Sequence, residues 1–600
     1  MPEFKNPNQA GGAGGQDTRS FLVMIIVMFG AIAGLTWWNS KHAPPPPPDN
    51  PPAAVSHAPA AAPTLGATTS PVAAPVLKAE AETTTTVENE LYQVTFSNHG
   101  AQVIHWILKN YKDTEGHPLD LVHADASKQF GYPLSLYTYD DKITAGLADA
   151  LYVPSATGSL QAPASLSFAY SNGNITVHKT FTFGADYVIH ADAIVTRDGQ
   201  PIRALLTWPT AFGDMDNLLA YSSAWVDTSA NGKDNHDAIK SVINGATLNG
   251  PLDFVGVSDQ YFAAIFMPDN PADATAATIH RDMKLQNLAH GAARGMPSLF
   301  GSSKTDATVQ LIGTGVGNVS GHNSARLFVG PKAVKVLKEI KTANGQNLGP
   351  VLDFGFFGPI GKYLFVGLQW VHTHIASNWG WAIVIFTVFI NLILLPLRVQ
   401  SMRSALKMQR IQPEVDKIKA KYKNPKPTDP KAAEMNAEVM AYQKTQGVSM
   451  FGGCVPSLVQ LPLLFAFFTM MTKVVELRQA HWYWLHDLSQ ADPYHILPIL
   501  MVITSFLVQY YTPSPGVDPQ QQKMMAFMMP AFSGWMTWNY ASGLALYWNV
   551  GNLIMIIQQT VMNYTSLGRE MRKIQHERAA RKAAAISTGK PSGPTIQGRR

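Results

Sequence analysis

Six stretches of this 600-residue chain run without a single Asp, Glu, Lys or Arg: 21–38, 380–397, 452–472, 493–511, 524–540 and 544–564. A bilayer core is about 30 Å thick, and a helix needs about 20 mostly apolar residues to cross it. One such run could be the buried helix of a soluble protein. Six in one chain, with charged residues only 14% of the whole against about 25% in soluble proteins, point to a polytopic α-helical membrane protein. The single cysteine, Cys454, excludes an intramolecular disulfide, a Cys-rich zinc site and a CxxC redox centre.

Charge distribution sets the expected orientation. Residues 39–362 hold 21 basic and 28 acidic residues, residues 397–451 hold 11 and 5, and residues 565–600 hold 9 and 2. Basic flanks stay cytoplasmic. The two strongly basic segments are separated by four apolar stretches, so they share the inner side. The long acidic segment then lies outside and both termini lie inside. Ala31-Ile32-Ala33 fits a signal-peptide cleavage pattern, but the apolar run continues to Trp37-Trp38, an aromatic pair suited to the membrane interface. An uncleaved anchor at 21–38, after a cytoplasmic N-terminus at 1–20, is expected.

Residues 39–86 are rich in Pro and Ala, including Pro44 to Pro48, and read as an extended outer spacer. From 87 to 345 the texture is that of a β-sandwich. Residues 175–183 and 187–195 alternate apolar and polar side chains around Gly184-Ala185-Asp186, a hairpin pattern. Further strands are expected at 91–96, 205–208, 261–267 and 325–329, and a short helix at Val334, Leu337 and Ile340. Residues 363–379 read as an interfacial amphipathic helix, where His372 and His374 point apart and are poorly placed to share a metal. Met408, Ile411, Val415, Ile418 and Tyr422 form a coiled-coil seam matched by Ala432, Met435, Val439 and Tyr442. The segment 398–451 is therefore a helical hairpin, turning at 424–430 with Pro430 first in the return helix. Shorter connections follow at 473–492, outside, and 512–523, inside.

Chemistry is sparse. Gly358 to Lys362 lacks the spacing of a phosphate loop, and Ala580 stands where a zinc-protease motif starting at His576 needs histidine. No apolar stretch carries a carboxylate pair for intramembrane proteolysis. Uncharged polar residues do occur in the stretches, among them Thr387, Asn391, Gln460, Thr504, Ser505, Gln509, Asn549, Asn552, Gln558 and Gln559. Interhelical hydrogen bonding and a wet groove both account for them. Five methionines within 524–536 suit a surface that accepts varied apolar partners.

Several of these residues fall into motifs. They are Gly452-Gly453-Cys454-Val455-Pro456, Gln460-Leu461-Pro462, Val475-Glu476-Leu477-Arg478, His486-Asp487-Leu488 and Asp492-Pro493-Tyr494. Asp518-Pro519-Gln520-Gln521-Gln522-Lys523, Ser542-Gly543-Leu544, Asn552 and Gln558-Gln559 complete them. In this order the chain resembles the YidC/Oxa family of membrane protein insertases, in its Gram-negative inner-membrane form. The resemblance implies six transmembrane helices, five of them the core, and a periplasmic β-supersandwich domain. It implies a non-enzymatic chaperone that inserts nascent inner-membrane proteins, alone or with the Sec translocon, without a cofactor. It further implies a hydrophilic groove open to cytoplasm and lipid, for which Thr387, Asn391, Arg398, Gln460, Leu464, Gln509, Asn549 and Asn552 are the candidates. The basic hairpin and tail would meet the ribosome and anionic lipids, and deleting 569–600 is expected to leave the fold intact.

One position departs from the pattern. The family's groove arginine aligns with Asn391. Arg398 lies two helical turns, about 10 Å, nearer the cytoplasm on roughly the same face. Partial replacement of the missing charge and a mere positive-inside anchor are both open for Arg398, and Asn391→Arg is expected to be tolerated. A solute transporter or channel is the competing reading, weakened by the absence of internal repeats and of charge in the apolar stretches. A membrane-anchored enzyme with a sugar-binding β domain is a third, for which no catalytic spacing is evident.

Overall fold

The computed structural model describes residues 75–215, 218–288, 305–422, 430–447, 455–511, 519–566 and most of 568–580. The stretch 21–38, most of the spacer and hairpin residues 423–429 lie outside the described residues.

Among the described residues, the N-terminal half is a β domain of three sheets. The hairpin pattern at 175–195 becomes two antiparallel strands, Ile175–Phe183 and Val188–Arg197, with Phe183 opposite Ile189. They sit inside a ten-stranded sheet. Period-2 alternation turns Val177, Phe181 and Phe183 inward, where Phe181 and Phe183 meet Phe96 of a five-stranded sheet at ring distances of 5.0 and 5.9 Å. The same five-stranded sheet carries Trp106, which packs 6.0 Å from Trp208 of the third sheet. Lys179 shares this inward phase and is completely buried. Burial pulls its pKa down to about 7. Its Nζ donates to the carbonyls of Gly100, Ala101 and Leu134, each at 2.9 Å, three acceptors for three ammonium protons.

The strands expected at 91–96, 205–208, 261–267 and 325–329 lie at Tyr92–Ser97, Leu205–Trp208, Phe262–Pro268 and His322–Pro331. The short helix is Val334–Glu339. The spacer ends earlier than 86: Thr84–Glu88 is already a strand, and Leu77 pairs with Ser171 through two backbone hydrogen bonds. The run of β-branched threonines favours this extended pairing.

Among the described residues, seven helices of 16 residues or more follow. Helix α1 is Gly358–His374, starting five residues before the expected interfacial helix because Pro359 suits a first helical turn. It buries Leu364, Phe365, Leu368 and Val371 and exposes Tyr363 and Trp370. His372 stacks on Trp379 and His374 on Trp370. Asn378 caps helix α2, Trp379–Lys421, by accepting from the Trp381 N–H. Helix α2 is long and apolar enough to cross a bilayer, and it runs unbroken through Pro396 and Pro413 into the first arm of the hairpin. Helix α3, Pro430–Thr445, returns, and Ile411, Val415 and Val439 form the buried seam with Met408, Ile418 and Tyr442. Helices α4 (Val455–Lys473), α5 (Ile496–Tyr511), α6 (Pro519–Thr537) and α7 (Ser542–Tyr564) carry the remaining apolar stretches. Helix α6 begins inside the segment read as a loop at 512–523, again with proline at its start.

The β domain and the helices meet at the end of α4 and the segment after it. Gln260 Nε2 donates to the Thr472 carbonyl, Lys473 Nζ to that of Asp353, and Gln479 Nε2 to that of Lys112. Arg478 lies over the rings of Tyr261 and Phe262, at 5.7 and 5.0 Å. Glu476, in the same segment, is half-buried. The same segment grips the helices: Ser542 N–H donates to Gln490 and Gly543 N–H to Leu488. Asp492 accepts from the N–H groups of Tyr494 and Leu497 and from Trp484 Nε1, fixing the start of α5.

Burial pushes the Glu476 carboxyl up to about 7 from an ordinary 4.5. Between these values the docked joint holds a proton that a separated joint releases. Docking therefore weakens as pH rises through that window and stays weakest above it, by about 2–3 kcal/mol. Exchange protection of the backbone amides at the joint, corrected for intrinsic rate, should fall from about pH 5 to about pH 8 and be flat in Glu476→Gln. A flat profile in the unaltered chain would contradict the assignment.

Candidate functional site

Thr387, Asn391 and Arg398 lie at spacings of four and seven along α2, which a 3.6-residue period sets on one face. Thr387 is fully buried and returns its hydroxyl to the Ile383 carbonyl at 2.7 Å. Asn391 is buried, and its Nδ2 donates to the Thr387 carbonyl at 2.8 Å. Its Oδ1 accepts from Arg398 Nη2 at 3.0 Å. The two-turn gap closes because helical side chains lean toward the N-terminus, so the arginine reaches back up the helix. Arg398 Nη1 donates to Gln558 Oε1 on α7 at 2.8 Å, and Gln558 Nε2 approaches the Asn391 carbonyl at 3.4 Å.

The result is a half-buried guanidinium between two helices, held by amide oxygens. Among the described residues no carboxylate lies within ion-pair distance of it. A desolvated, unneutralised cation attracts an anion strongly. Gln558 was visible in the sequence only as one of a pair of polar residues in an apolar stretch. Its role needs the packing of α2 against α7.

The remaining candidates do not join this cluster. Asn549 and Asn552 are buried on the face of α7 toward α5. Asn549 Nδ2 donates to the carbonyls of Leu497 and Ala545, and its Oδ1 accepts from Thr504. Asn552 Nδ2 donates to Thr504 and Ser505, both at 3.0 Å. These are satisfied interhelical bonds of the kind that hold membrane bundles together. Gln460 and Leu464 on α4 and Gln509 on α5 are half-buried.

The chain matches two family models: that of the 60Kd inner membrane protein over residues 370–569 and that of the YidC periplasmic domain over 84–366. It is 32% identical to the membrane protein insertase YidC of Geobacter metallireducens, over 82% of this chain and 88% of that one. The YidC of Geobacter sulfurreducens is likewise 32% identical, over 79% and 84%. The chain belongs to the YidC membrane protein insertase family. A crystal structure of an active YidC insertase with its first transmembrane domain resolved aligns at 16% identity and a TM-score of 0.33, covering 83% of this chain and 96% of that one.

As a YidC family member the chain is a membrane protein insertase of the inner membrane, with a periplasmic β domain and a helical C-terminal region. The transporter and channel reading is not favoured. The relatives are named for insertion rather than for a covalent reaction.

Proposed function

We propose that this insertase works through the polar cluster centred on Arg398. The cluster takes in the polar end of a nascent inner-membrane protein from the cytoplasmic side, and the client's apolar segment leaves sideways into lipid. The observation that carries the reading is the Arg398 guanidinium, set among amide oxygens with no carboxylate partner among the described residues. It supplies at Asn391 the positive charge that Asn391 itself lacks. Burial of the client's apolar segment drives the transfer, at about 0.8 kcal/mol per CH₂, and no cofactor or covalent step is called for.

The expected topology accompanies this reading. Six spans cross the membrane, the acidic segment 39–362 lies in the periplasm, and the hairpin, the tail and both termini lie in the cytoplasm, as the basic flanks favour. The basic hairpin and tail suit polyanions, namely ribosomal RNA and anionic lipid headgroups. A sideways exit also suits clients handed over by the Sec translocon. Gln460, Leu464 and Gln509 would line the approach, while Asn549 and Asn552 would fix the wall behind it.

Compartment reporters fused at Ala150 and at Lys426 should report opposite sides of the membrane; the same side for both would overturn the topology. Arg398→Ala should slow insertion of a client with an acidic translocated end about tenfold, and of the matched neutral client less than about twofold. A lone Asn391→Arg would press a second guanidinium against the first, so the tolerance expected for it holds only when Arg398 is removed. The pair Asn391→Arg with Arg398→Ala should recover the acidic client. Equal loss for both clients would reduce Arg398 to a topological anchor.

A further inference from the structure

Beyond Tyr564 the chain does not simply leave the bundle. Thr565 Oγ1 donates to the Met562 carbonyl, and the Gly568 N–H donates to Thr565 Oγ1. A Cβ at Gly568 would collide with the backbone of Met562 and Asn563, so this tight reversal requires glycine. The chain then resumes as helix and folds against the cytoplasmic half of α2. Met402 and Leu406, both buried, pack with Met562 and Ile574. Arg410 Nε donates to Glu570 at 2.9 Å. Arg572 turns back to the Asn563 carbonyl at 2.6 Å and lies over the Tyr564 ring.

These contacts continue the one between Arg398 and Gln558. Along α2 the series is Asn391, Arg398, Met402, Leu406 and Arg410. Along α7 and its continuation it is Gln558, Met562, Glu570 and Ile574. The series runs into the hairpin seam of Met408, Ile411 and Val415. The Arg410–Glu570 pair is about half-exposed on both sides, and such pairs contribute little. The apolar contact of Ile574 and Met562 with Met402 and Leu406 therefore holds the arrangement.

We propose that residues 569–577 are a positioning element that braces the base of the hairpin and keeps it in register with Arg398. The C-terminal segment then has two parts. The described residues from Arg569 to Glu577 pack on the bundle, and the sequence that follows carries Arg578, Arg581, Lys582, Lys590, Arg599 and Arg600, a charge suited to a polyanion. Deletion of 569–600 would accordingly disturb the hairpin, contrary to the expectation from sequence. A partner drawn to the basic end would pull on the element that sets the hairpin. The functional consequence rests on the reading that the hairpin handles clients; the brace itself does not.

The test uses the full chain with Cys454 replaced by serine and spin labels at Met440→Cys on α3 and Leu553→Cys on α7, both exposed positions. The distance distribution between them should be narrow in the parent, in Ile574→Leu and after truncation behind residue 580. It should widen in Ile574→Asp and after truncation behind residue 568, with the thermal midpoint of the bundle unchanged. Insertion should fall severalfold in the same two variants and recover in Ile574→Leu. A distribution that stays narrow in both Ile574→Asp and the shorter truncation would overturn the brace. A widened distribution with full insertion would support the brace and overturn the hairpin's part in client handling.

Discussion

A guanidinium placed between apolar helices has to be solvated by something, and here two amide side chains do it. That requirement organises the helical half of the structure. Arg398 must reach back along α2 to find Asn391, and α7 must pack closely enough to bring Gln558 within hydrogen-bond distance. Amide oxygens satisfy the guanidinium's donors without cancelling its charge. A carboxylate in the same place would make a closed ion pair with little left to offer an anionic ligand. The arrangement thus retains a positive potential inside the bundle while meeting the rule that buried polar groups are hydrogen-bonded.

At the outer end the polar chemistry serves a different purpose. Arg478, Gln479 and Lys473 make contacts between the periplasmic β domain and the helices. Asp492, Leu488 and Gln490 tie the same segment to α5 and α7. Gly380, at the start of α2, sits where any side chain would strike the Trp482 ring, so helix and segment are in direct contact. The outer side is packed and cross-linked by hydrogen bonds. Toward its far end α2 packs on α3, on α7 and on the segment after α7.

Much of this was legible in the sequence, for identifiable reasons. Absence of charge marked the apolar helices, since a bilayer tolerates little else. Strands with alternating Val, Ile and Phe were visible because one face is buried. The long strands Ala274–Leu288 and Thr305–Asn318 were not. In the second, Gly313, Gly315 and Gly317 weaken the local strand signal, yet a Cβ at any of them would strike the chain at 204–209. The sheet needs glycine there for close approach, and that need has no local signature. At the site, helical periodicity alone grouped Thr387, Asn391 and Arg398. It could not say that Arg398 would reach Asn391, nor that Gln558, 160 residues away, would complete the cluster. Asn549 and Asn552 looked like further groove residues, but the packing of α7 on α5 turns them to Thr504 and Ser505.

The central claim is that a client's acidic end comes to rest against Arg398. A photo-crosslinking side chain at position 558, with the client's translocated end radiolabelled, tests it most directly. Crosslinks should form to the acidic end during insertion. They should be lost when that end is neutralised, and lost again when Arg398 is replaced by alanine. Crosslinks that persist unchanged without the client's acidic residues or without Arg398 would contradict the account.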